Sequence, residues 1–242
     1  MNRVVVVTGA GHGIGAAIAR AFASEGDDVV VTDIDLNAAD ATARAIGGSA
    51  TAHGLDVSSD EAWDALSTEL RATGRLPSVV VNNAFRNVVV PAHELPPEEW
   101  ALTVDVILGG VYRSIRTFHD TLAAAGGSIV NVASVHALLA WRGHPAYAAA
   151  KGGVVALTRQ LSLEYAPRIR VNAVLPGSID TRVWDVVDEA GLDAAARQTT
   201  LGRLGRPEEI ASVVVFLAGD GASYITGAAI PVDGGLSTTV TP

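Results

Sequence analysis

Short runs dominated by apolar, often β-branched residues alternate along this chain with longer alanine-rich segments whose apolar positions recur every three or four residues. The runs Val4–Val7, Val29–Thr32, Ala50–Leu55, Val79–Val81, Ser128–Val132, Ile169–Val174 and Ile230–Val232 predict strands. The segments near Ile14–Glu25, Asn37–Ile46, Ser59–Thr73, Trp100–Ala125, Ala146–Tyr165 and Glu208–Gly219 predict helices. Ser58 with Glu61 reads as a capping box for the third helix. Pro145 suits the first turn of the fifth, where its missing N–H costs nothing. Strands that are apolar throughout, joined by helices, predict an α/β domain with a parallel sheet covered on both faces. No linker, repeat or low-complexity tract divides the chain, so residues 1–242 are expected to form a single domain.

Composition narrows the function classes. The net charge of −9 comes without a basic block, so nucleic acid and anionic membranes are not expected partners. No apolar run approaches the length of a bilayer span. The start, MNRVVVV, enters a strand-like run within three residues and leaves no room for a signal peptide, which together with the lack of cysteine suits a cytoplasmic location. Without cysteine there are no disulfides or thiolate metal sites, and the six histidines show no ligand spacing. No metal is expected.

The polar residues carry more information. Gly9 follows the first strand, Asp33 the second, Asp56 the third, Asn82 the fourth, Ser134 the fifth and Pro176 the sixth. In an open parallel sheet, ligands bind at the carboxyl ends of the strands, so all six point into one cleft. The first turn, TGAGHGIG, does not fit G-x-G-x-x-G, because Ile14 takes the sixth place, but it fits T-G-x-x-x-G-x-G from Thr8 to Gly15. Glycines there permit close approach of a pyrophosphate to a helix N-terminus. Asp33 lies 20 residues beyond Gly13, where an acid would accept hydrogen bonds from a ribose diol. A 2′-phosphate about 5 Å away would be repelled by ~3 kcal/mol at an effective dielectric of 20. Neither His12 nor Ile34 offers a firm cation against it, so NAD is expected over NADP.

Tyr147 and Lys151 stand at i and i+4 on the fifth predicted helix, on one face. An ammonium ~4 Å from a phenol would favour phenolate by up to ~4 kcal/mol at that dielectric, before the lysine's own desolvation. That would make the tyrosine a proton donor and acceptor for an alcohol or carbonyl. Taken alone, Y-x-x-x-K also fits an ordinary surface pair.

With these residues assembled, the chain resembles the short-chain dehydrogenases/reductases from Val4 to Gly235. Thr8, Gly9, Gly13 and Gly15 match the family's cofactor loop, and Leu55-Asp56-Val57 matches its adenine-holding segment. Asn82-Asn83-Ala84 matches the start of N-N-A-G. Ser134, Tyr147 and Lys151 match its catalytic serine, tyrosine and lysine, and Asn172, Pro176-Gly177 and Thr181 the segment that receives the nicotinamide. The resemblance implies a Rossmann-type doubly wound sheet of seven strands, order 3-2-1-4-5-6-7, and hydride transfer between a substrate carbon and a nicotinamide. Tyr147 would move the proton, Ser134 orient the substrate oxygen, and Lys151 bind the ribose and lower the tyrosine pKa. Gly11, His12, Ile14, Asp33, Ile34, Ile179, Tyr147 and Lys151 join the residues named above as the expected cofactor contacts. It also implies a homotetramer with the helices Trp100–Ala125 and Ala146–Tyr165 at one interface.

Two positions depart from the family pattern. N-N-A-G reads Asn82-Asn83-Ala84-Phe85, and Ile107 stands where the family has a fourth catalytic residue, an asparagine that helps hold a water next to the lysine. Only the backbone carbonyl of Ile107 remains to hold such a water, unless His136 or Ser114 supplies another route. By the same resemblance the substrate pocket is lined by Phe85, Arg86, His136, Trp141, Arg142, His144, Ser178 and Trp184. Two arginines and two histidines suggest a small polar substrate: a sugar, polyol or hydroxy acid. The short lid segment Asp185–Gln198 speaks against a large steroid. The expected activity is NAD-dependent interconversion of a secondary alcohol and a ketone. The alternatives are a 3-oxoacyl carrier-protein reductase and a nucleotide-binding homologue that lost turnover through Phe85 and Ile107.

Overall fold

The computed structural model describes residues 2–185 and 187–238. Met1, Val186 of the expected lid, and residues 239–242 at the end of the expected domain lie outside the described residues. Seven parallel strands run β1 (Val4–Thr8), β2 (Asp28–Asp33), β3 (Ala50–Gly54), β4 (Val79–Asn82), β5 (Ser128–Val132), β6 (Arg170–Pro176) and β7 (Ala229–Val232). Their order in the sheet is β3-β2-β1-β4-β5-β6-β7, as the resemblance implies.

Alternate residues of the same strand enter different cores, which is why the strands read as continuous apolar runs. Val4, Val6, Val30 and Val80 join one cluster with Trp63, Phe118 and Val154. Val5, Val7, Val29 and Val31 join the other with Ile18, Phe22 and Val214. Each fully buried valine contributes about 1.5–3 kcal/mol, so both faces of the sheet are held. The first face is covered by α3 (Asp60–Ala72), α5 (Gly110–Ala125) and α6 (Pro145–Tyr165), the second by α1 (Gly13–Ser24) and α8 (Pro207–Ala218). The further helix α2 (Leu36–Ile46) packs on β3. The result is one Rossmann-like domain.

Three local expectations change. The helix expected over Trp100–Ala125 begins earlier, as α4 (Pro97–Val104), and is interrupted by a π turn at Asp105–Gly109 before α5. The cap of α3 is Ser59, not Ser58: Ser59 Oγ accepts from Ala62 N at 3.1 Å and donates to Glu61 at 2.9 Å. Ser58 is instead drawn back onto Asp56 Oδ1 by its own N–H and hydroxyl, at 2.9 and 2.6 Å. An unexpected short helix, α7 (Glu189–Arg197), lies in the lid segment, its N-terminus capped by Asp188 through Gly191 N at 2.9 Å. Trp100, Leu102 and Tyr112, on the helices expected to pair between subunits, are exposed. No helix among the described residues is long and apolar enough to cross a membrane.

Candidate active site

At the carboxyl edge of the sheet the ends of β1, β4, β5 and β6 open into a cleft of about 890 Å³. Its floor on the β1 side is the glycine loop. Gly9 has φ +62°, and a Cβ there would lie 2.8 Å from Ala84 Cα. A Cβ on Gly15 would sit 2.2 Å from Gly9 O, so only hydrogen is tolerated at the start of α1. Thr8 and Asn83 fasten this loop to β4. Thr8 Oγ1 accepts from Asn83 N and Ala84 N at 3.0 and 3.1 Å, and Asn83 Nδ2 donates to Thr8 O and Gly9 O at 3.0 and 2.9 Å. Thr8 is thus a support behind the loop rather than part of the cleft wall.

Asp33 closes the far end of the loop. Its carboxylate accepts from Gly11 N at 2.9 Å and from Asp35 N at 3.1 Å. Each carboxylate oxygen has a second lone pair, so a diol can still be bound. Gly11 serves here through its N–H and does not itself line the cleft. The other expected cofactor contacts line it: Gly9, His12, Gly13, Ile14, Gly15, Asp33, Ile34, Asp56, Val57, Asn83, Ala84, Tyr147, Lys151, Pro176, Gly177, Ile179 and Thr181. Thr181 closes over the loop from the other side, where a Cβ on Gly13 would meet its Cγ2 at 3.3 Å. A bare backbone cradle at a helix N-terminus, with an acid one strand away, fits a dinucleotide. Asn172 takes no part: its side chain donates to Ile225 O at 2.9 Å and accepts from Ala228 N at 3.1 Å, holding the approach to β7.

Ser134 follows β5, and its Oγ also accepts from His136 N at 3.2 Å. Pro145 does open α6, which carries Tyr147 and Lys151 into the cleft one turn apart. The electrostatics differ from the expected ion pair. Lys151 is 3% exposed, and its Nζ donates to Val132 O at 2.6 Å while lying 5.6 Å from the centre of the Tyr147 ring. Burial pushes its pKa down to about 7. Burial also pushes the Tyr147 phenol above its ordinary value, against a hydrogen bond with Ser134 that acts the other way. The lysine contributes no lowering of the phenol here: its Nζ is drawn onto Val132 O, and burial has weakened its own hold on the proton.

The substrate side also departs from expectation. The guanidinium of Arg86 is bonded to Glu99 of α4. Arg142 is exposed and does not line the cleft. Phe85, Arg86, His136, Trp141, His144, Ser178 and Trp184 do line it. Burial, with the charges of His144 and Lys151, pushes His136 down to about 4, and burial lowers His144 as well. Both imidazoles are neutral near pH 7. Sequence reasoning missed Ala194 and Ala195 of α7 and Gln198 just after it, which reach the cleft through a helix with no motif to betray it. Ser114 lines no part of the cleft; it donates to Val111 O within α5 at 2.9 Å. Ile107, 3% exposed in the π turn, borders a void of about 10 Å³ together with Lys151, Thr8, Asn82 and Val132. That is room for one water at most.

A glycine cradle, an acid at the end of β2 and a Ser-Tyr-Lys group at one parallel-sheet edge define a nicotinamide-dependent oxidoreductase. A family model described as enoyl-(acyl carrier protein) reductase matches residues 9–237. The chain is 40% identical to 3beta-hydroxysteroid dehydrogenase 1 of Eggerthella lenta, over 98% of this chain and 94% of that protein. It is 39% identical to cyclohexanol dehydrogenase of an Acinetobacter species, over 96% and 94%. It is 40% identical to the 3-oxoacyl-[acyl-carrier-protein] reductase FabG of Pseudomonas aeruginosa, over 97% of each. Among solved structures, a putative gluconate dehydrogenase from Agrobacterium tumefaciens superposes with a TM-score of 0.94 at 29% identity, covering 98% of this chain and 97% of that one. The chain belongs to the short-chain dehydrogenase/reductase family.

Proposed function

We propose that this protein is an NAD-dependent secondary-alcohol dehydrogenase, acting also as a ketone reductase, with Ser134, Tyr147 and Lys151 as its catalytic group. The observation that carries this is the placement of those three side chains beside the glycine cradle in one cleft. When bound there, the cofactor supplies the acceptor for a hydride from the alcohol carbon, or its donor in the reverse direction. The chain's own residues manage the oxygen. Ser134 donates to it and holds it against Tyr147, and Tyr147 receives the alcohol proton as the C–O bond becomes a carbonyl. Tyr147 acts from its phenolate form and is left as the phenol, and the ammonium form of Lys151, buried beneath, stabilises the phenolate that precedes the transfer.

Asp33 supports the choice of coenzyme. Its carboxylate is fixed by two backbone N–H groups and cannot swing away from a 2′-phosphate without abandoning both. NADH is expected to bind at least tenfold more tightly than NADPH when each is titrated against tryptophan fluorescence, and Asp33→Ala should narrow the gap. Equal affinities in the parent protein would remove the coenzyme assignment.

Ile107 bears on the reading in which turnover was lost. Its side chain cannot hold a water, but its backbone and the small void beside Lys151 remain. Ile107→Asn is expected to change kcat less than tenfold, about 1.4 kcal/mol. It should also destabilise the fold, since a buried amide without partners costs ~1–3 kcal/mol. A hundredfold rise in kcat with intact folding would show the native proton route to be broken.

A further inference from the structure

We propose that Phe85, His136, Trp141 and His144 form, beside Tyr147, a substrate box that selects an uncharged alcohol or ketone carrying an apolar ring. This rests on the dehydrogenase reading above and names its substrate class. The rings form one connected set of contacts. His136 stands perpendicular to Tyr147, centroids 5.1 Å apart at 89°, and lies against Trp141 at 4.4 Å and 34°. His144 meets His136 at 4.9 Å and Tyr147 at 6.4 Å, and is itself tied to Asn87 at 3.1 Å. Phe85 approaches Tyr147 from another side at 6.5 Å, edge to face, yet leaves 54% of its surface uncovered in the cleft.

Charge decides between an apolar and an anionic ligand. A carboxylate leaving water for this box needs a free cation. Arg86 is already neutralised by Glu99, Arg142 lies outside, and the two imidazoles are uncharged near pH 7. Lys151 is sealed beneath Tyr147 on the Val132 carbonyl. Arg182 lines the cleft from the exposed short turn that also carries Trp184, and among the described residues no ring contact or hydrogen bond ties it to the aromatic group around Tyr147. Apart from the Ser134 hydroxyl and the unpartnered Nδ1 of His136, the Tyr147 ring is faced by the aromatic surfaces of Phe85, His136 and His144, which a ring of C–H groups covers better than a chain of hydroxyls does.

The test compares NAD-linked oxidation of cyclohexanol, gluconate, 3-hydroxybutyrate and a cationic amino alcohol, with NADH affinity measured alongside. Expected is a kcat/KM at least a hundredfold higher for cyclohexanol than for either hydroxy acid. Trp141→Ala should lower the cyclohexanol value at least tenfold, leave NADH affinity within twofold and spare the hydroxy acids, and Trp141→Phe should restore most of the loss. In the NADH complex, cyclohexanol should alter the fluorescence of the parent protein but not of Trp141→Phe. A preference for a hydroxy acid or the amine, or an equal loss on all substrates, overturns the box while leaving the dehydrogenase standing. So does NADH binding with no cyclohexanol-dependent fluorescence change. Failure to bind NADH at all removes the dehydrogenase reading itself.

Discussion

Replacing Tyr147 by phenylalanine is expected to lower kcat by about 10²–10⁴ and to leave NADH affinity within about threefold. The phenyl ring keeps its edge-to-face contacts with Phe85 and His136, so the wall of the cleft survives. What disappears is the oxygen that shares a hydrogen bond with Ser134 and, as phenolate, takes the alcohol proton. Steady-state kinetics with a parallel NADH titration separate the two effects. A variant that keeps most of its kcat would show that the proton leaves by another route, and the assignment of Tyr147 would be wrong.

Lys151→Met is expected to abolish turnover and at the same time raise the melting temperature of the cofactor-free protein at pH 7. The folded-state pKa of Lys151, about 7, lies below its ordinary 10.5, so the unfolded chain binds more protons between those values. The lysine therefore destabilises the fold most at or below pH 7, and that penalty fades as pH rises toward 10.5. A shift of this size corresponds to about 5 kcal/mol between charge states, partly offset by the bond to Val132 O, which methionine loses. A net gain of about 1–2 kcal/mol would raise Tm by about 2–8 °C in a domain this large. The difference between parent and variant should shrink from pH 7 to pH 10. Lys151 is the only lysine in the chain, so one ¹⁵N-lysine resonance reports its titration directly. A variant that melts lower at pH 7 would show the ammonium to be well solvated by its surroundings.

The sheet and the cofactor side were legible because the signals were local and ordered. The central strands β1, β2, β4, β5 and β6 are buried on both faces, so their apolar runs need no partner to be recognised, and five of the six strand-end residues line one cleft, while Asn82 donates to Asn131 instead. The substrate side was less legible because charge state depends on neighbours distant in sequence. Arg86 reads as a free cation until Glu99, on another element, is seen to hold it. His136 reads as polar until Trp141, His144 and Tyr147 enclose it. Arg142 sits among motif residues but outside the cleft, and only the path of the loop reveals that.

The π turn has a consequence for the phase of the helix it interrupts. The buried positions Thr103, Ile107, Val111 and Ile115 advance by four residues three times in succession. On an unbroken α-helix each such step overshoots a full turn by about 40°, so the apolar stripe would wander about 120° away from the sheet. A turn closed over five residues winds more slowly and absorbs most of that drift. The segment thus looks like one long helix in sequence while holding one residue too many for it. That surplus is taken up beside Lys151, where Ile107 is buried as the pivot between the cleft-facing half and the core-facing half.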